Sequence, residues 1–155
     1  MRTKLGKTII CLLIGIVWGG VAAAGSFTDN GDGTVTDSST GLIWQQQSDN
    51  TRRSWTEALA YCEAFELAGK SDWRLPDIRE LFSIVEDTVE DENYALIDTD
   101  YFSITRSSPL FYWSSTSDAY NTSNAWYVGI GDGTVYYSDR GDGRSVRCVR
   151  GGQYW

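Results

Sequence analysis

Histidine is absent from this 155-residue chain, which also holds only two prolines, one methionine and three cysteines. Each shortage excludes something. Without imidazole the chain has no general base of the usual kind near neutral pH, no Ser-His or Cys-His nucleophile pair, and no histidine ligand for a tetrahedral zinc site. Basic residues are scarce as well, 13 Lys and Arg against 21 Asp and Glu, a formal net charge of −8. That balance opposes encounter with nucleic acid or an anionic membrane. The longest apolar stretch, Ile9 to Trp18, falls short of the about 20 residues needed to cross a bilayer.

The same stretch follows Arg2, Lys4 and Lys7 and runs on to Ala22-Ala23-Ala24, the pattern of a secretory signal peptide cleaved after Ala24. On this reading residues 1–24 are a leader, residues 25–155 form one domain, and no transmembrane anchor survives cleavage. Cys11 follows Ile10 near the start of the apolar run, the wrong place for lipid attachment. Loss of the leader removes three basic residues and no acid, so the mature balance is 10 against 21, or −11. Cys62 and Cys148 are left facing an oxidising compartment, where a disulfide between them is expected. As metal ligands two lone cysteines would lack half of a zinc site.

Glycine marks the turns. Phe27 to Asp37 carries Asn30-Gly31-Asp32-Gly33, and Gly-Asp-Gly returns at 131–133 and 141–143 between strand-like runs, each a hairpin signal. Asp29, Asp32 and Asp37 are spaced closely enough to suggest calcium, but the full loop spacing with its distal glutamate is missing, and plain β-turns are the simpler expectation. Thr40 to Trp44 reads as a short buried strand. Ser54 followed by Glu57 is a capping box that starts a helix with Trp55, Ala58, Leu59, Cys62 and Phe65 inward and Gly69 closing it. A second helix is expected to enter at Pro76, with Ile78, Leu81, Phe82 and Val85 on one face, and to end in the acidic run Glu86 to Glu92. Between them, Trp73 should be core and Arg74 should point the other way, as a structural tie.

Aromatic and β-branched runs at 111–116, 125–130, 134–137 and 145–149 predict an antiparallel sheet of about four strands. Alternation puts Trp113, Trp126, Val128, Ile130, Val135, Tyr137, Val146 and Cys148 on its core face. Tyr112, Tyr127, Tyr136 and Arg147 fall on the other, half-aromatic face. Arg140, Arg144, Arg147 and Arg150 lie within eleven residues, a basic cluster suited to sulfate or carboxylate. Tyr112, Tyr127, Tyr136, Arg144 and Arg147 are therefore the candidate ligand-binding residues. The fold expected is α+β, two helices packed on a small twisted antiparallel sheet.

The segments Phe27 to Asp37, Thr40-Gly41-Leu42-Ile43-Trp44, Trp55 to Cys62, Asp72-Trp73-Arg74-Leu75-Pro76 with Glu80-Leu81, Tyr112-Trp113-Ser114-Ser115 and Val146 to Gly151 resemble the bacterial DUF1566 family. That family forms the C-terminal part of the Legionella collagen-like adhesin, and the resemblance runs in order over nearly all of residues 26–152. The element order, with one cysteine on the first helix and its mate on the last strand, is also similar to C-type-lectin-like domains. What the resemblance implies is a secreted or surface binding module, in the best-known relative one for sulfated glycosaminoglycans. This chain has no collagen-like repeat, is strongly acidic, and lacks the Glu-Pro-Asn and Trp-Asn-Asp signatures of calcium-dependent sugar binding, so sugar specificity does not carry over.

Taken together, these features describe an exported, non-catalytic module that binds a glycan or a cell-surface protein in the periplasm or at the cell surface. It needs no cofactor and takes no nucleic acid. The alternatives are a structural part of an envelope or pilus assembly and a carboxylate-dependent glycosidase. The second has weak support, because 21 acids in a small chain make some carboxylate pair inevitable.

Overall fold

A computed structural model describes residues 27–86, 96–104 and 110–152. The segment expected to be a leader and the acidic run after Glu86 lie outside the described residues. Among those described, no helix is long and apolar enough to cross a membrane.

Three short strands open the domain: β1 (Phe27–Asp29), β2 (Thr34–Asp37) and β3 (Leu42–Gln45). β1 and β2 pair antiparallel across the Asn30–Gly33 turn, as the glycines require, since Gly31 and Gly33 both take positive φ. Then come α1 (Trp55–Glu63), α2 (Ile78–Phe82), and the strands β4 (Phe111–Ser117), β5 (Asn124–Gly129), β6 (Thr134–Asp139) and β7 (Val149–Gly151). The class is α+β, but the architecture differs from one sheet carrying two helices. There are two antiparallel sheets, β1-β2-β3-β7 and β4-β5-β6. The last strand leaves the C-terminal hairpins and pairs with β3, matching Trp44 with Val149. Ser145 makes only a bridge to Tyr112 on the way.

The capping box at Ser54 is formed, with Glu57 donated to by the Ser54 backbone and side chain. α1 stops at Ala64, earlier than the Gly69 expected to close it. Gly69 instead takes positive φ in the tight turn where Leu67 and Lys70 bond each other. The second helix also starts later than expected. Pro76 stands outside it, and Asp77 is the N-cap, its carboxylate accepting from the amides of Arg79 and Glu80 while the Glu80 carboxylate accepts from the Asp77 amide. Of the expected stripe, Leu81 is buried and Ile78 and Val85 pack against the same core, but Phe82 is 43% exposed and Ile84 is buried in its place, because the chain leaves the helix after one and a half turns.

Two cores result. One gathers Phe27, Val35, Trp44, Leu81, Ile84, Phe102, Tyr112, Val128 and Val149. The other gathers Ala58, Cys62, Trp73, Leu75, Trp113, Ala125, Val146 and Cys148. α1 belongs to the second and α2 to the first. Cys62 and Cys148 are bonded, joining residues 86 positions apart.

Trp73 and Arg74 divide as an extended strand dictates. Trp73 is 3% exposed, its Nε1 donating to the Lys70 carbonyl. Arg74 grips Glu80 through two bonds of 2.6 Å and also donates to the Gly151 carbonyl. Burial pushes the Glu80 carboxyl up, but the bonds from Arg74 and the Asp77 amide outweigh it and leave it below its usual range. Trp73→Ala should cost about 3 to 5 kcal/mol, the range for large core truncations. Urea unfolding would show it, and an unchanged midpoint would mean that the ring contributes nothing to packing.

Candidate functional site

The three-stranded sheet decides which aromatic residues meet solvent. Its ladder aligns Trp113, Tyr127 and Tyr136 across the strands, and Tyr112, Val128 and Val135 one step along. In β5 and β6 the alternation holds for Val128 and Val135 inward against Tyr127 and Tyr136, but Tyr137, expected in the core, is 57% exposed and Trp126 only half-buried, the two rings packing edge-to-face on each other rather than into either core. In β4 it is inverted: Tyr112 faces the Val128 core at 2% exposure, and Trp113 stands on the tyrosine face. A one-residue slip reverses every side chain of a strand. Tyr112 is thus core and has no surface to offer a ligand.

Arg147 is corrected likewise. It is 1% exposed, and its guanidinium donates to the carbonyls of Gln45 (2.7 Å), Gln46 (2.5 Å) and Ser103 (3.1 Å). The rings of Phe102 and Tyr112 flank it at 5.1 and 5.6 Å. Burial pushes its pKa down, countered by Tyr112. Arg150 is also engaged, in a two-pronged pair with Asp72 that raises the arginine and lowers the acid. The C-terminal arginines therefore do not act as one cluster.

What the fold does bring together is Tyr127, Tyr136 and Arg144, with Phe111 added. The Tyr127 and Tyr136 rings stack at 5.4 Å and 23°. Phe111, 36% exposed, sets its ring edge-to-face against both. Arg144 lies over the Tyr127 ring at 4.5 Å, and Trp113 closes the floor with its ring perpendicular to Tyr127. Asp132, in the β5–β6 turn, accepts from the Tyr136 hydroxyl at 2.7 Å, and this bond raises that hydroxyl's pKa. Gly129 makes the arrangement possible, because a Cβ there would collide with the Asp132 carboxylate and press within 3.1 Å of the Phe111 ring.

Beside this face runs a ribbon in which residues 52–55 lie antiparallel to 140–144. Arg53 and Arg144 exchange backbone bonds, and the Trp55 amide donates to the Arg140 carbonyl. Its arginines stack on aromatics: Arg53 over Tyr61 at 3.8 Å and Arg140 over Trp55 at 4.1 Å. Arg53 is neutralised by Asp49, whose carboxyl the arginine holds below its usual range. Phe111, Arg52 and Arg53 escaped the sequence reading. Phe111 was only one aromatic in a strand, and Arg52 meets the Gly143 carbonyl across 91 positions.

The calcium candidates are occupied with local turns. Asp29 accepts from the Gly31 amide, Asp32 from the Thr34 amide and hydroxyl, and Asp37 from Ser39 and Thr40. Among the described residues no group of three or more His, Cys, Asp or Glu could hold a metal ion.

Two sheets, two short helices and a long-range disulfide define a small cross-linked α+β module of the kind found outside the cytoplasm, with a half-exposed aromatic face. The chain belongs to the Lcl C-terminal domain family, whose model matches residues 33–150. A comparison with curated proteins finds no match.

Proposed function

We propose that this chain is an exported, non-catalytic, adhesin-like module that holds a glycan or a cell-surface protein on the face made by Phe111, Tyr127, Tyr136 and Arg144. The observation that carries this reading is the Arg144–Tyr127–Tyr136 stack. It is fixed on a sheet and seated on the buried Trp113, yet part-exposed together with Phe111. Rigid rings offer contact area at little cost in conformational freedom, and a preformed platform loses little on binding. Membership of the Lcl C-terminal domain family supports the adhesin-like character. The leader-like residues 1–24 and the disulfide support a place in the periplasm or at the cell surface. The tie between α1 and the segment entering β7 supports the C-type-lectin-like order of elements. The reading requires neither calcium nor any other cofactor.

The test is a panel of immobilised glycans and envelope proteins probed with wild-type protein and with the Phe111→Ala/Tyr136→Ala double variant. Affinity for whatever ligand is retained should fall about tenfold or more, the equivalent of about 1.4 kcal/mol, with little change in the thermal midpoint. Unaltered binding by the double variant would place the ligand elsewhere.

A further inference from the structure

Two guanidinium groups meet on one backbone oxygen next to the aromatic face. Arg52 donates to the Gly143 carbonyl through Nε (2.9 Å) and Nη2 (2.6 Å), and Arg144 donates to the same oxygen through Nη1 at 3.1 Å. Like charges held this close repel unless an anion sits with them. The domain has acids in excess, yet among the described residues the one acid at the pair is Asp142, 3.3 Å from Arg144 and with its own side chain 48% exposed, beside the Ser138 hydroxyl at 3.2 Å from the same guanidinium. Arg52 is exposed, and its Nη1 has no partner among the described residues. Arg140, in the same ribbon, spends its Nε on the Asn124 carbonyl and its guanidinium face on Trp55. The ribbon is thus a place where positive charge is concentrated and incompletely answered.

The charge and the rings are continuous. Arg144 lies 4.5 Å from the Tyr127 ring, which lies 5.4 Å from the Tyr136 ring, with Phe111 against both. A ligand that fits has a ring with an apolar face for Tyr136 and Phe111, and an anionic group one sugar unit or so away for Arg52 and Arg144. Arginine forks match a carboxylate with two parallel bonds. The excess of 21 Asp and Glu over 13 Lys and Arg argues against several charges on each ring, because such a polymer is repelled by the acidic surface away from this ribbon. From this we infer that the ligand is a carboxylated and unsulfated glycan with no more than one charge on a ring. Its carboxylate is bound by Arg52 and Arg144, and a neighbouring sugar ring packs on Phe111 and Tyr136. The inference rests on the binding-module reading above and adds the ligand class to it.

The experiment is calorimetric or fluorescence titration of the mature disulfide-bonded protein with tetragalacturonate, with its methyl ester, and with a sulfated tetrasaccharide of similar length. Tetragalacturonate should bind, and the methyl ester, which keeps the rings and loses the charge, should bind about tenfold or more weakly. The sulfated probe should bind no better than tetragalacturonate. Arg52→Gln, at an exposed position, should reproduce the loss seen with the ester while leaving the thermal midpoint unchanged. Equal binding of the ester, unchanged binding by Arg52→Gln, tighter binding of the sulfated probe, or no binding of tetragalacturonate would each overturn the inference. If the protein fails with tetragalacturonate but still binds another glycan or an acidic peptide through Phe111 and Tyr136, only the ligand class is wrong. If the double variant at those rings binds every ligand as the wild type does, the binding face itself is wrong.

Discussion

Replacing Cys62 and Cys148 together with alanine is expected to lower the unfolding free energy by about 4.5 kcal/mol, the chain-entropy value for a loop of this length. The bond joins α1 to the residue before β7, 86 positions apart, so without it the denatured chain regains most of its freedom. Both sulfurs lie in residues with no exposed surface. A reductant added to the folded protein should therefore act slowly, at the pace of unfolding, rather than at the rate of an exposed disulfide. Against a typical total stability of about 5 to 15 kcal/mol, the loss leaves the variant marginal or unfolded at physiological temperature. Urea titrations of the wild type and the double variant measure it directly. A difference below about 1 kcal/mol would mean that the cross-link adds little to a fold already held by its two cores.

The second large effect is expected at Arg147. Arg147→Ala removes a donor from the buried carbonyl of Gln45 and the part-buried ones of Gln46 and Ser103, of which Gln46 still accepts from the Ser103 amide, and opens a space between Phe102 and Tyr112. A stranded buried carbonyl costs about 1 to 3 kcal/mol and the lost packing between the two rings adds to it, so a total of about 3 to 5 kcal/mol is expected. Arg147→Lys keeps the charge but lacks the planar fork, and should fall between the wild type and alanine. Such a loss of stability separates this role from the surface role the sequence suggests. A ligand-contacting Arg147 would lose binding on substitution and keep its midpoint, and that result would contradict the buried position.

Why Arg147 misleads is a matter of defaults. Arginine is almost always at the surface, and strand alternation next to Val146 and Cys148 turns it outward. The signal that could have corrected this is the run Val146-Arg147-Cys148-Val149, an arginine inside an otherwise apolar segment. All four of these residues are buried. Local signals were legible: Ser54 and Glu57 start α1, Asn30 to Gly33 turns the first hairpin, and Cys62 finds Cys148. Register in β4 was not, because Phe111-Tyr112-Trp113 is three aromatics in a row and carries no alternation. The strand also shifts register between Trp113 and Ser117. Nor was the departure of the last strand to β3, which depends on pairings more than a hundred positions apart such as Cys148 with Gln45. Of the candidate site, Tyr127, Tyr136 and Arg144 were visible by pattern. Phe111 and Arg52 were not, since only the folded hairpins bring them to the same face.

Whether ligand is held on the face of Phe111, Tyr127, Tyr136, Arg144 and Arg52 can be read by nuclear magnetic resonance mapping of amide and aromatic shifts during titration with a bound glycan or protein fragment. Changes should be concentrated at these residues and in the Gly129–Gly133 turn that carries Asp132, with the Asp29–Asp37 hairpin and α2 unmoved. Changes centred on that hairpin or on α2, with Phe111, Tyr127 and Tyr136 silent, would contradict binding at this face.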